Sequence, residues 1–462
     1  MRINAHCHIF NLQSVFTGET KEVLRCRLNS ILGVSAGLLD PLLGLLEQYI
    51  GNKGGLDLRS GRDVSGKELL RALDARRSLP AADTERREKA LEGLLRLKTR
   101  GGSFFRELLD LRLLDAELIG LSDFLEFFEV ALAASMDDIT DYLFDEMAEG
   151  QGEGQVDRGE LLITPLMMDV LSDEPSKKEQ EVFHVQRDNT VRQCLRHPGR
   201  VLPFYAVNPR RKGYLKHFIT AMEGGGFVGM KAYPSLGYKV DDIVEALDYC
   251  DKNDIPVLAH CNDGGFTPNA AAAQQAHPDR WWDVLRNNKF SKLKLCFGHF
   301  GGDHAFEPGT VDQQWHEVIC RMMVDDDLRG RIFADLSYHT HGMGLFHQDE
   351  YFAWLKRLMD IRANPRHSQI LFGTDFHLVL MRLSEDNYWR FFRENLDSRA
   401  FEWLARKNPL RFLGLDVDRP EQSTKNIINH IAFLKRSKEK GDALWESGGV
   451  RANWLRGLKA FQ

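Results

Sequence analysis

Eight short apolar runs constrain what this chain can fold into. They are Ile3–Ile9, Leu161–Met168, Val201–Val207, Phe227–Tyr233, Ile255–His260, Leu293–His299, Arg331–Ser337 and Gln369–Asp375. Each is bounded by turn residues, and most are followed by a helical pattern. Strands buried on both faces read as continuous apolar runs, and strands alternating with helices imply a parallel sheet. Eight such units predict an α/β fold, a (β/α)8 TIM barrel. A length of 462 residues would ordinarily suggest two or three domains, but this barrel type absorbs long insertions as one unit.

The spacing of the runs divides the chain. Residues 1–11 hold the first strand. Residues 12–155 carry a helical pattern with little strand signal and read as an insertion that caps the barrel mouth. Within it Lys67–Arg77 and Thr84–Lys98 are charged amphipathic stretches, and Phe124, Phe127 and Phe128 read as packing aromatics. Residues 156–415 supply the rest of the barrel, and 416–462 form a helical C-terminal extension.

Charge and cysteine usage narrow the function classes. Net charge is −6 with both signs well mixed, which argues against nucleic acid or an anionic membrane as partner and leaves a small-molecule substrate. The seven cysteines are odd in number, scattered and without Cys-x-x-Cys, as expected of reduced thiols in a cytoplasmic protein. Met1 leads straight into the first strand, which leaves no room for a cleavable signal. The most apolar window, Ile31–Ile50, is broken by Asp40, Pro41 and Glu47 and reads as buried helix rather than a membrane span.

In such barrels the reactive groups lie at the C-terminal ends of the strands. Strand one ends at His6 and His8, whose i, i+2 spacing puts both imidazoles on one face. Strand three ends at Asn208-Pro-Arg210-Arg211, strand four at Lys231-Ala-Tyr233, and strand five at His260-Cys-Asn262. Strand six ends at His299-Phe-Gly-Gly, strand seven at Asp335-Leu-Ser-Tyr-His339, and strand eight at Asp375-Phe-His377. Collecting these groups in one barrel mouth without partners would cost several kcal/mol of desolvation. A divalent metal fits them. His6, His8 and His260 offer nitrogen and Asp375 oxygen, with one position left open, the catalytic pattern of Zn2+; Mn2+ and Fe2+ also suit such a set. His299 then serves as general acid or base or as a further ligand, with a structural histidine under Gly301-Gly302 as the alternative. Asp375 could also accept a proton.

Arg210 or Arg211 could clamp a carboxylate, one of them facing solvent, and Tyr233, Asn262 and His339 sit at the same rim. His339-Thr-His341 repeats the His-x-His spacing but falls in a loop-like run, and His316-Glu317 reads as surface helix. Gly224-Gly225-Gly226 precedes a strand, the wrong side for a phosphate loop.

The ordered set His6-x-His8, Gly229-Met-Lys231, His260, Gly-His299-Phe-Gly-Gly, Gly-Thr-Asp375 and Asn408-Pro-Leu-Arg-Phe-Leu-Gly-Leu415 resembles the amidohydrolase superfamily. It looks like the branch typified by aminocarboxymuconate semialdehyde decarboxylase and its hydrolase relatives. The resemblance implies one metal held by His6, His8, His260 and Asp375, with His299 as the acid–base group. Barrels of this branch are often dimers, so it also implies a homodimer. Three departures stand out. Lys231 occupies the strand-four position where other members bridge two metals; here it could bridge, face substrate or be structural. The insertion at 12–155 is longer than the branch requires. His299-Phe-Gly-Gly replaces the His-Gly-Gly-Gly of the decarboxylases.

The expected function is metal-dependent hydrolysis of a small, carboxylated substrate through a metal-activated water. A non-oxidative decarboxylase on the same site is the alternative, and a catalytically silent scaffold the third reading.

Overall fold

A computed structural model describes residues 1–11, 130–131, 135–152, 156–171, 175–288, 290–344, 347–442, 444 and 450–461. The helices expected between 12 and 129, Ile31–Ile50 among them, lie outside the described residues. The end of the expected insertion is a helix, α1 (Met136–Gly150), capped by the Ser135 hydroxyl, which accepts from the Asp138 amide. Among the described residues no helix is long and apolar enough to cross a membrane.

Each apolar run overlaps one strand: β1 Arg2–Cys7, β2 Leu161–Pro165, β3 Phe204–Val207, β4 Gly229–Ala232, β5 Val257–Asn262, β6 Leu295–Gly301, β7 Ile332–Asp335 and β8 Ile370–Leu371. β1 pairs with β2, and β3 to β8 pair in sequence order, all parallel. Isolated bridges carry the two seams. Ile163 N–H donates to Arg200 O at 2.8 Å and Met167 N–H to Phe204 O at 3.1 Å, joining β2 to β3. Ala5 N–H donates to Phe372 O at 2.9 Å and Asp375 N–H to His6 O at 2.8 Å, joining β8 to β1. The strands follow one another around an eight-stranded α/β barrel.

Helices follow most strands: α2 Lys177–Arg196, α3 Tyr214–Gly224, α4 Val244–Asn253, α5 Pro278–Asn288, α6 Val311–Val324, α7 Gln348–Leu358, α8 Glu385–Asn395 and the C-terminal α9 Lys425–Glu439. α2 begins with a capping box between Ser176 and Glu179, which satisfies two otherwise orphaned amides. Ile3, Ala5, Leu162, Phe204, Leu258, Cys296, Phe333 and Leu371 form one core with Phe412, Trp454, Leu455 and Phe461. The C-terminal segment therefore shares the core of the strands. Asn426 adds a bond to Val228 O and Trp454 one to Gly199 O.

Two irregularities aim the functional side chains. Between the pairs Asn4↔Ile163 and Cys7↔Pro165, β1 advances three residues against two in β2. An extra residue reverses side-chain parity. Ile3 and Ala5 thus share the core with Leu258 and Leu371, Asn4 reaches Glu385 on α8, and His6 and His8 still line the cavity. Between His260↔Gly298 and Asn262↔Gly301, β6 carries the extra residue, and His299 (φ 63°) and Phe300 (φ 45°) take left-handed backbone there. Asp375 (φ 63°) and Tyr338 (φ 59°) do the same. Such conformations cost about 1–3 kcal/mol each in non-glycine residues and gather at functional sites. Gly373 lets β8 approach β1: a Cβ there would sit 2.6 Å from His6 Cβ.

Candidate metal centre

His6, His8, Tyr233, His260, Asn262, His299, Tyr338 and Asp375 line one cavity together with the apolar Met168, Phe266 and Leu378. His6, His299 and Asp375 each offer a donor atom within 4.8 Å of the others. His8 joins through Asp375, with Nε2 3.2 Å from Oδ1, and His260 joins through His299, with Nδ1 3.0 Å from Nε2. The four histidines and Asp375 are all buried.

The hydrogen-bond network assigns the tautomers. His8 Nδ1 lies 2.8 Å from the Leu166 carbonyl, which can only accept, so Nδ1 carries the proton. His6 Nδ1 donates to Asp335 Oδ2 at 2.9 Å. In the neutral forms that can bind a metal, His6 and His8 both turn a bare Nε2 to Asp375 Oδ1, at 3.4 and 3.2 Å. Burial would lower His6, but Asp335 and Asp375 outweigh it and raise it above its ordinary value, the mark of a site that draws a cation. His6 Nε2 is buried without a hydrogen-bond partner. Two lone pairs converging on a carboxylate oxygen repel unless a cation lies between them. The donor set of two nitrogens and a carboxylate, with more imidazole nitrogen at hand, fits a divalent ion.

Asp335 organises the site from behind. Its Oδ1 accepts the amides of His299 (3.1 Å) and Ser337 (3.0 Å) and the Ser337 hydroxyl, while Oδ2 holds His6. Burial would raise this carboxyl, but the His6 and His299 rings and the Ser337 hydroxyl outweigh it and hold it well below the usual range. His299 Nδ1 faces the Ser337 carbonyl (3.2 Å) and hydroxyl (2.9 Å), so its proton sits there and Nε2 is bare. Burial lowers His299 to about 3, which keeps the imidazole neutral. Burial, then the neighbouring His299, holds His260 well below its ordinary value; its ring stacks on Tyr233 at 4.1 Å.

In Asp335→Asn, one face of the new amide must present N–H to other donors, either His6 Nδ1 or the His299 and Ser337 amides. Metal affinity is expected to fall about 10- to 100-fold, as for other partners that orient a ligating imidazole. Competition against a chromophoric chelator measures it, and unchanged affinity would remove Asp335 from the site.

Several sequence-predicted residues lie elsewhere. Arg210 does not line the cavity; its guanidinium donates to Leu236 O at 2.7 Å. Arg211 forms a buried bidentate pair with Asp169 (2.8 and 2.6 Å) and stacks over Phe183. His339 is buried behind the site, donating from Nε2 to His299 O at 2.9 Å, with Nδ1 3.2 Å from the Tyr351 hydroxyl. Lys231 is buried and its ammonium has no hydrogen-bond partner; burial brings it down to about 8 against the pull of Asp335 and Asp375. His316 is not on a surface face, because its ring packs 4.3 Å from Phe300. Tyr233 and Asn262 do line the cavity. Sequence reasoning gave Asp335 no role, although its place at the end of strand seven marked it. Nothing in the sequence marked Glu385, buried on α8 against Asn4 and Trp389.

Among solved structures the chain is similar to 2,6-dihydroxybenzoate decarboxylase complexed with 2,6-dihydroxybenzoate, at 15% identity over 66% of this chain and 94% of the other, TM-score 0.42. It is also similar to 4-oxalomesaconate hydratase from Rhodopseudomonas palustris, at 14% identity over 66% and 85%, TM-score 0.42. A third is 5-carboxyvanillate decarboxylase from Sphingomonas paucimobilis, at 10% identity over 61% and 84%, TM-score 0.41. No curated protein sequence matches. The amidohydrolase family profile matches residues 133–415, well over half of the chain, and this protein belongs to the amidohydrolase family of enzymes.

Proposed function

We propose that the barrel is a mononuclear metal-dependent hydrolase of a small, carboxylated substrate, with Zn2+ as the first choice of ion. The observation that carries this reading is the convergence of two Nε2 atoms, on His6 and His8, on one Asp375 oxygen. When bound, such an ion supplies Lewis acidity that polarises a carbonyl and acidifies water. His6, His8, Asp375 and one ring of the His260–His299 pair would hold it. We assign His260 to the ion and His299 to proton transfer. Ser337 anchors His299 Nδ1–H, which leaves its neutral Nε2 free to take a proton and its position fixed while it does so. The buried Lys231 ammonium adds a positive field that favours an anionic substrate. Tyr233 and Asn262 shape the wall the substrate meets.

His299→Asn should keep its metal and lose about 10²- to 10⁴-fold in kcat, the usual range for a general acid–base group. His260→Asn should lose metal. The reverse pattern would exchange the two roles. A second reading, non-oxidative decarboxylation, is favoured by the approach of His260 Nδ1 and His299 Nε2, 3.0 Å apart beside the cavity, a pair that could hold a proton for delivery to carbon. Metal-loaded protein offered carboxylated amides and lactones and aromatic carboxylates in 18O-water separates the two. 18O in the organic product supports hydrolysis, and carbon dioxide release with no 18O in the organic product supports the second reading.

A further inference from the structure

A second group of metal-ligating side chains lies outside the barrel cavity. His304 and Glu307 stand three residues apart in the turn between β6 and α6, and His341 follows β7. His304 Nδ1 is 3.1 Å from Glu307 Oε2, and His341 Nε2 is 2.8 Å from Oε1. His347 Nδ1 approaches the same Oε1 at 3.7 Å. The three ligand atoms of His304, Glu307 and His341 lie within 4.8 Å of one another. None of these four residues lines the barrel cavity.

We propose that His304, Glu307 and His341, with His347 as fourth ligand, form a second cation site for a zinc-type divalent ion, clasping the loop after β6 to the loop after β7.

The scaffold is built before any ion arrives. Thr310 donates its hydroxyl to His304 O (3.0 Å) and Glu307 O (2.9 Å), and Asp312 accepts the His304 amide at 2.9 Å. Across the gap Asp303 accepts the His341 amide at 2.8 Å and the Thr340 hydroxyl at 3.1 Å. Both loops are thus pinned in the register that brings the rings together.

Three imidazoles crowd one carboxylate: His304 and His341 centroids lie 4.0 Å apart, and His341 and His347 4.5 Å apart. With no ion, the two Glu307 oxygens accept N–H from His304 and His341. In the tautomers that carry the proton on the far nitrogen, the three neutral rings turn three bare nitrogens to a single place. A divalent ion accepts three neutral imidazoles and one carboxylate, a set within the zinc repertoire. Ligand bonds of about 2.1 Å require the donors to draw together somewhat. The side chains, 26–44% exposed, are free to rotate that far. The clasped loops matter to the cavity: one starts at His299, and the other carries Tyr338, both of which line it.

The test uses full-length protein, stripped with chelator and titrated with Zn2+ alone, then with Co2+ for its visible absorption. Wild type should bind two equivalents. His341→Ala and Glu307→Gln should each lose one equivalent, or weaken it at least 100-fold, while His6→Ala/His8→Ala loses the other. Zn2+ should also slow amide exchange over residues 299–310 and 337–344 in the barrel variant and not in His341→Ala. These are partly exposed positions, and His304→Gln is a second variant should one fail to fold. The clasp is overturned if His341→Ala and Glu307→Gln bind as many equivalents as wild type, or if the barrel variant binds none. A wild type binding one ion that only the barrel variant loses also overturns it, and leaves the barrel site standing.

Discussion

His6→Ala/His8→Ala should empty the barrel site and lower kcat/KM by about 10³-fold or more, roughly 4 kcal/mol of transition-state stabilisation. The reason is geometric. These rings supply the two nitrogens that face Asp375 Oδ1, and the bulge in β1 is what turns them there. Without them Asp375 is a buried carboxylate stripped of both partners, and it would take up a proton rather than stay charged. Metal analysis beside kinetics is the check, with His8→Gln as a milder variant and far-UV circular dichroism to show that the barrel persists. Full turnover in a folded, metal-free variant would end the metal-dependent reading.

The second large effect concerns stability and pH. Glu385 is buried on α8, its Oε1 accepting from Asn4 Nδ2 at 3.0 Å and Trp389 Nε1 at 2.9 Å. Burial pushes its carboxyl up to about 8, beyond what those donors offset. The folded state therefore binds a proton that the unfolded chain releases near its ordinary value of about 4.3. Stability from this group is complete below that value and is lost as pH rises through about 8. At about 1.4 kcal/mol per pH unit the loss is on the order of 5 kcal/mol. Urea unfolding of wild type should weaken from pH 5 to pH 8.5, and Glu385→Gln, which keeps an acceptor for Asn4 and Trp389, should flatten that slope. Parallel pH profiles for the two proteins would refute the assignment. Asn4 Oδ1 also accepts the amides of His6 (3.2 Å) and Thr374 (3.3 Å), so loss of this network loosens the strand ends that carry the site.

The barrel was legible because its signal is local. A strand covered on both faces must be apolar along its length, so the eight runs mark eight strands, and their C-terminal ends mark the site. His6, His8, His260, His299 and Asp375 came from that rule alone, as did Tyr233 and Asn262. Arg210 and His339 satisfy the same rule but lie outside the lining of the cavity. Position along a strand does not say whether a side chain turns into the mouth or is captured by a neighbouring carbonyl, and Leu236 O and His299 O capture these two.

Other features needed the folded chain because they depend on contacts between residues hundreds of positions apart. The His6–Asp335 bond spans 329 residues and the Asn4–Glu385 bond 381. Strict alternation from Ile3 and Ala5 would send His6 to the wrong face, and only pairing with β2 reveals the extra residue that corrects it. The sequence by itself determined the strands, their order and the chemical types at their ends, since burial on both faces writes itself into composition. The tertiary structure decided the tautomers, the backing carboxylates and the meeting of His304, Glu307 and His341, because each is set by which groups face one another across the fold.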